Sequence, residues 1–408
     1  MPWSYQLRCF DCGSEYSART AAYRCERCGG LLEVAFDLSR GRRVPWHNRE
    51  MTVWKYRELL PVNNDRFIVT LHEGGTGLHR CQRLGRELGL KRLYVKNEGE
   101  NPTGSFKDRG MTAAISKARE IGKKKTACAS TGNTAASLAA YSARAGLACI
   151  VFVPAGKVAG GKMLQVIMHG AKIFQVKGDF DQAMESVVRL TEKLKSFYLM
   201  NSLNPFRLEG QKTLAYEVSD QLRQAPDALV LPVGNGGNIS AIWKGFSEFH
   251  ELGIVRNKPR MIGIQADKAA PIARAVKKGQ KKVRPVKNPQ TFATAIRIGS
   301  PVNSPKVLKA IQQSGGTAET VTDKEIFEAQ KKLASLEGIF AEPASAASIA
   351  GLRKLREAGS IDASDLIVCV TTGHGLKDPS IIDRISPIES YNVKITDPDW
   401  IDRLEQNL

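Results

Sequence analysis

The chain reads as an α/β protein: parallel sheets with crossover helices, preceded by a small cysteine-rich module. Three observations predict this. Short apolar runs alternate with helix-length amphipathic stretches between residues 93 and 371, the pattern of strands joined by crossover helices. Four cysteines form one C-x2-C-x12-C-x2-C array near the N-terminus. The turns after several predicted strands are rich in Gly, Ser, Thr and Asn, and parallel sheets bind ligands beyond the carboxyl ends of their strands.

The array comes first. Cys9-Phe10-Asp11-Cys12 and Cys25-Glu26-Arg27-Cys28, followed by Gly29-Gly30, make two knuckles flanked by strand-like runs at 5–8 and 31–36. Four thiolates at this spacing can take all four positions of a tetrahedral cation and leave none for substrate, so a structural Zn2+ in a zinc-ribbon-like module is expected. So small a module needs its metal to fold. The remaining cysteines, Cys81, Cys128, Cys149 and Cys369, sit in apolar surroundings and read as buried, reduced small hydrophobes. Residues 39–64 carry Arg, Pro and Trp with weak periodicity and read as a linker or embracing arm.

The alternation then begins. Strands are expected at 93–95, 126–129, 148–154, 172–176, 198–200, 228–233, 261–265 and 366–371. Helices are expected at 107–121, 134–145, 162–169, 180–194, 208–223, 239–252, 323–337 and 344–357. Four places in this run carry candidate chemistry. In Asn101-Pro102-Thr103-Gly104-Ser105-Phe106-Lys107-Asp108-Arg109-Gly110, Pro and Gly break the backbone so that Lys107 enters a helix. The positive end of the helix dipole disfavours a protonated amine, and a free amine can hold an aldehyde as a Schiff base. Taken alone, a surface lysine among sixty Lys and Arg is the better explanation, and only its company elsewhere in the chain changes that. Ser130-Thr131-Gly132-Asn133-Thr134 can cap a helix or hold a carboxylate. Gly234-Asn235-Gly236-Gly237-Asn238 can aim amides at a phosphate or make a plain tight turn; it lacks the dinucleotide spacing. Thr371-Thr372-Gly373-His374 puts a hydroxyl at a strand end, where it can face an aromatic nitrogen, with His374 as a loop residue.

Composition narrows the partners. Sixty Lys and Arg against 41 Asp and Glu give a net charge of +19, which favours anionic partners. The basic residues are spread along the chain without interleaved aromatics, so nucleic acid is not expected. The N-terminus has no signal-peptide pattern and the longest apolar run, 148–153, is far too short for a bilayer. A soluble, cytoplasmic protein with no membrane partner is expected.

Lysine, asparagine, glycine loop and threonine, in this chain order, resemble the tryptophan synthase β-like family of pyridoxal-phosphate enzymes, specifically its branch acting on O-phosphohomoserine. The matching stretches are 104–110, 130–134, 201–207, 234–238, 294–299 and 372–375, within a span from 73 to 378. The resemblance implies two three-layer parallel-sheet domains: a large cofactor-binding one at 66–105 and 205–385 and a small one at 106–204, with the ribbon at 1–40, an arm at 41–65 and a tail at 386–408. It implies that Lys107 holds pyridoxal 5'-phosphate and shuttles protons. Asn133 would bind the ring hydroxyl, Gly234, Asn235, Gly236, Gly237 and Asn238 the cofactor phosphate, and Thr372 would face the ring nitrogen. Ser130, Thr131 and Thr134 would bind the substrate carboxylate; Asn201, Ser202 and Arg207 its phosphate, for which a bidentate Arg suits the geometry; and Thr294 would also touch substrate. The implied reaction eliminates phosphate at Cγ and adds water at Cβ to give threonine, in a homodimer. Replacement at Cβ of O-phosphoserine is the alternative with the same parts. A zinc-ribbon nucleic-acid-binding protein is the remote one.

Overall fold

A computed structural model describes residues 2–39, 46–156, 161–178, 180–379 and 381. The tail at 386–408 and part of the arm lie outside the described residues. In chain order the elements are β1 (Tyr5–Cys9), β2 (Glu15–Tyr16), β3 (Leu32–Phe36), β4 (Leu78–Arg80), α1 (Gln82–Glu87), β5 (Arg92–Asn97) and α2 (Lys107–Glu120). Next come β6 (Lys125–Ala129), α3 (Asn133–Arg144), β7 (Ala148–Pro154), α4 (Gly161–Met168), β8 (Lys172–Val176), α5 (Phe180–Lys193) and β9 (Phe197–Leu199). The rest are α6 (Pro205–Gln211), α7 (Thr213–Leu222), β10 (Ala228–Pro232), α8 (Gly237–Glu251), β11 (Arg260–Ala266) and α9 (Pro271–Lys277), followed by α10 (Ser304–Gln313), β12 (Thr317–Val321), α11 (Asp323–Glu337), α12 (Pro343–Glu357) and β13 (Leu366–Thr371).

These strands form three sheets: antiparallel β2-β1-β3, six-stranded β12-β11-β10-β13-β5-β4, and four-stranded β8-β7-β6-β9. The four-stranded sheet is all parallel. The six-stranded one is parallel except for β4 at its edge. The central strands are apolar on both faces because both faces are covered. Along β13, Ile367 and Cys369 enter a core shared with Ile326, Leu333, Ile349 and Leu352. Their neighbours Val368 and Val370 enter the opposite core, with Leu214, Ile242, Phe246 and Ile311. The strand period of two thus divides one sheet between two helical layers. The smaller sheet repeats the device, with Cys128 and Val151 packed against Met111, Ile115 and Leu138, and Ala127 and Ala129 against Ala183 and Val187.

Most predicted elements are present, with one difference that matters. The helix expected at 208–223 is two, α6 and α7, meeting at Lys212. Thr213 donates its hydroxyl to the Gly210 carbonyl (2.7 Å), a side-chain bond that competes with the helical ladder. Strands β4 and β12 and helices α1, α9 and α10 are present in addition to the elements expected from sequence. Among the described residues, no helix is long and apolar enough to cross a membrane.

Candidate active site

Lys107 opens α2 and sits where the two larger sheets' loops meet. Its loop is stitched to the end of β13: Phe106 donates its amide to the Thr372 carbonyl (3.0 Å), and His374 donates to the Gly104 carbonyl (2.9 Å). The amine lies 3.9 Å from the Phe106 ring centre. Burial of the amine, then the Arg207 guanidinium, lowers its pKa to about 7 against the pull of Glu342. A large share of Lys107 is therefore a free amine at neutral pH. Beside it, Asp108 anchors the turn, accepting from the Thr103 amide (2.7 Å) and hydroxyl (2.6 Å) and from Ser137 (2.5 Å).

Arg207 reaches the lysine because α2 and α6 cross backbone to backbone. A Cβ on Gly210 would lie 1.7 Å from the Arg109 carbonyl oxygen, and one on Gly110 would lie 2.9 Å from that of Arg207. Arg207 is 2% exposed and donates from Nη1 to the Met200 carbonyl (2.9 Å). Its Nε has no acceptor, and among the described residues no carboxylate pairs with it. Burial lowers its pKa to about 10. Of its predicted companions, Asn201 clamps the end of β6, donating to the Ala129 carbonyl (2.9 Å) and accepting from its amide (3.0 Å). Ser202 is half-buried, and its carbonyl accepts from Asn303 (3.3 Å).

The loop after β6 brings Ser130, Thr131 and Thr134 to partly exposed positions, with the Ser130 hydroxyl accepting from the Gly132 amide (3.1 Å). Asn133 is buried and donates its amide to both oxygens of Glu342 (3.0 and 3.1 Å), leaving Oδ1 without a partner. After β10, Gly236 takes φ +81°, where a Cβ would also fall 2.3 Å from Val307; only glycine fits this turn. The amides of 234–238 donate to no protein group among the described residues, and both polar side-chain atoms of buried Asn238 are unpaired. Thr372 has its hydroxyl 3.1 Å from that of Ser345, which also accepts the Thr372 and Gly373 amides. Thr294 stands apart on the rim, accepting from Lys162 (3.0 Å) and donating to Asp378 (2.9 Å).

Glu342, Ser345 and Lys162 were not anticipated. Glu342 precedes α12 and joins Asn133 to Lys162 (3.6 Å); in sequence it reads as an ordinary residue at a helix start. The unpaired Asn133 Oδ1, the free amides of 234–238, the open Asn238 side chain and the low-pKa lysine fit one ligand carrying an aldehyde, a ring hydroxyl and a phosphate. Pyridoxal phosphate has that donor and acceptor pattern.

At the N-terminus the thiols of Cys9, Cys12, Cys25 and Cys28 lie within 4.8 Å of one another, with Cys9–Cys28 at 3.5 Å and Cys12–Cys25 at 3.6 Å. Sulfurs around a tetrahedral zinc are about 3.8 Å apart. The four residues fit such an ion.

Residues 69–373 match the family of pyridoxal-phosphate dependent enzymes, and the chain belongs to it. Within that family the chain is 59% identical to the threonine synthase of Methanocaldococcus jannaschii, over 93% of this chain and 94% of that one. It is 54% identical to the threonine synthase of Methanosarcina acetivorans, over 93% of each. Solved structures share the fold: the processed form of threonine deaminase isoform 2 from Solanum lycopersicum has a TM-score of 0.65 at 23% identity, over 77% of this chain and 88% of that one. Maize serine racemase has a TM-score of 0.64 at 20% identity, over 76% and 91%.

Proposed function

We propose that this enzyme is a threonine synthase, converting O-phospho-L-homoserine and water into L-threonine and phosphate. The observation that carries the reading is Arg207, a buried guanidinium with an open Nε beside Lys107 and no carboxylate partner among the described residues. A buried unpaired cation is costly, and a substrate bearing its own phosphate supplies the missing charge. The names of the relatives agree with it.

Bound here, pyridoxal phosphate supplies an aldehyde and an electron sink for negative charge at the substrate's α carbon. Lys107 would hold it through its amine. The Lys107 amine, whose pKa in the cofactor-free protein is about 7, is the group placed to take protons from Cα and Cβ and return them. Asn133 would meet the ring hydroxyl, residues 234–238 would hold the phosphate, and the Thr372 hydroxyl, steadied by Ser345, would face the ring nitrogen. Ser130, Thr131 and Thr134 bind the substrate carboxylate, and Thr294 closes the rim. Arg207 and Ser202 take the substrate phosphate, and Asn201 keeps their segment aligned with β6. As phosphate leaves Cγ its charge grows, so Arg207 binds the departing group more tightly than the ester.

Zinc on Cys9, Cys12, Cys25 and Cys28 completes a structural ribbon. The segments 66–105 with 205–385 and 106–204 form the large and small domains, in a cytoplasmic homodimer whose mass sedimentation would measure. The functional reading is tested by phosphate release and threonine formation from O-phosphohomoserine. Wild type should give both and Lys107→Ala neither; a cofactor-bound wild type that ignores this ester but turns over O-phosphoserine overturns it.

A further inference from the structure

The cysteine module is tied to the substrate end of the molecule by three separate threads. The first runs from β3 through α10. Lys306, buried in α10, donates to the Leu32 carbonyl (2.9 Å). Asn303, the residue before that helix, donates its amide to the Asn235 carbonyl (3.0 Å) in the glycine loop and its side chain to the Ser202 carbonyl (3.3 Å). The second runs through α8. Lys244 donates to the Val34 carbonyl and pairs with Glu209, two residues beyond Arg207 on α6. The third is Tyr23, whose hydroxyl accepts the Leu199 amide (2.9 Å), two residues before Asn201.

The thiols set the position of the strand from which two threads start. Cys9 pairs with Leu32 and Leu7 with Val34 across β1 and β3, and the Cys25 amide donates to the Gly30 carbonyl (2.8 Å) just before β3. A shift in the four-thiol cluster therefore moves the carbonyls that Lys306 and Lys244 grip. Lys306 is buried and has the Leu32 carbonyl as its hydrogen-bond partner, whereas Lys244 shares its charge between the Val34 carbonyl and the carboxylates of Glu209 and Glu248. Each ties a carbonyl of β3 to a helix of the site through a charge-assisted bond. Each thread ends on the anion-binding side of the site: the glycine loop, Ser202, the segment of Asn201 and the helix of Arg207.

We infer that the four-cysteine module is a positioning element for the substrate's phosphate pocket, acting through Lys306 and Lys244, so that the metal state of the thiols sets the affinity for the phosphorylated substrate. This rests on the assignment of Arg207 and Ser202 to the substrate phosphate. A merely structural appendage would change the unfolding midpoint and leave phosphate affinity of the folded enzyme alone.

The test uses the cofactor-loaded enzyme, so that inorganic phosphate titrated by calorimetry reports the substrate pocket. Lys306→Met loses one charge-assisted bond and Lys244→Met loses those to Val34 and Glu209, so phosphate affinity should fall at least about tenfold in each. KM for O-phosphohomoserine should rise by the same factor, with kcat within about twofold, as expected when only ground-state and transition-state binding of one group is lost equally. The absorbance of the bound cofactor should not change. Lys309→Met, whose amine lies over the Phe10 ring (4.7 Å) but is exposed, should leave both constants alone. In wild type, stripping the metal with a chelator should weaken phosphate binding as the lysine variants do, and returning zinc should restore it. Unchanged phosphate affinity in the chelated enzyme overturns the inference, and that arm decides even where a lysine variant fails to fold. Weakened phosphate binding in an enzyme inert towards O-phosphohomoserine would sink the proposed reaction and keep the coupling.

Discussion

Arg109 and Arg207 lie on helices that touch, both are buried, and they live in opposite electrostatic worlds. Arg109 forks onto two carboxylates, Glu98 at 2.5 and 2.7 Å and Glu217 at 2.5 and 2.8 Å, with Lys96 sharing Glu217 (2.8 Å). Burial works against its charge, but Glu217 and Glu98 outweigh it and hold its pKa well above the usual value. Among the described residues Arg207 has only the Met200 carbonyl, and burial lowers it to about 10. The difference separates charge that holds helices together from charge kept waiting for a ligand. A fold can tolerate an unpaired buried cation only by spending stability gained elsewhere.

The largest expected effect is chemical. Lys107→Ala should cut threonine formation by at least about a thousandfold, since it removes the proton carrier as well as the covalent anchor; a stopped assay on loaded protein reads it. The two arginines should then part ways. Arg109→Met strands Glu98 and Glu217 and should cost about 3–5 kcal/mol in urea unfolding. Arg207→Met strands no charge, only the Met200 carbonyl, and should stay within about 1 kcal/mol of wild type, while its kcat/KM for the phosphate ester drops about a hundredfold. If the stability losses came out reversed, the division between the two cations would be wrong. Gly210→Ala forces α2 and α6 apart and should cost about 1–3 kcal/mol, with activity falling too because Lys107 and Arg207 separate.

Smaller effects follow pH. Burial alone would raise Glu217, but Arg109 and Lys96 outweigh it and hold it at about 2. Its folded pKa lies below the unfolded one, so its stabilisation is complete above about pH 4.5 and disappears as pH falls towards 2, on the order of 3 kcal/mol. For Lys107, a base, the same downward shift is a cost rather than a gain, though stability again rises with pH. Its folded pKa of about 7 lies below the unfolded value. The cofactor-free protein therefore carries the full cost of the charged amine below pH 7 and is relieved of it as pH rises towards 10. Urea titrations across both ranges would show the two slopes.

What could be read from sequence was whatever is local. Lys107 after a Pro-Gly break and the glycine run after an apolar strand carry their geometry in neighbouring residues, so both were legible. The four cysteines were legible through spacing alone. Arg109 was visible, but its partners lie 11 and 108 residues away, and pairing at that distance leaves no periodic trace. Glu342 and Ser345 were missed for the same reason: each looks like the start of a helix until Asn133 and Thr372 are brought against it. Asn201 shows the converse. It was expected to bind phosphate, yet its amide is engaged with Ala129, which only the sheet register reveals.

The most direct test of the account is the effect of inorganic phosphate on unfolding of the cofactor-loaded enzyme and its Arg207→Met variant. A ligand that binds only the folded state raises the midpoint by linkage, about 2.7 kcal/mol at a hundred times its Kd. Phosphate should stabilise the wild type in this way and leave the variant's midpoint where it was. An equal rise in both proteins would mean that Arg207 does not hold the anion, and that its unpaired charge has some other cause.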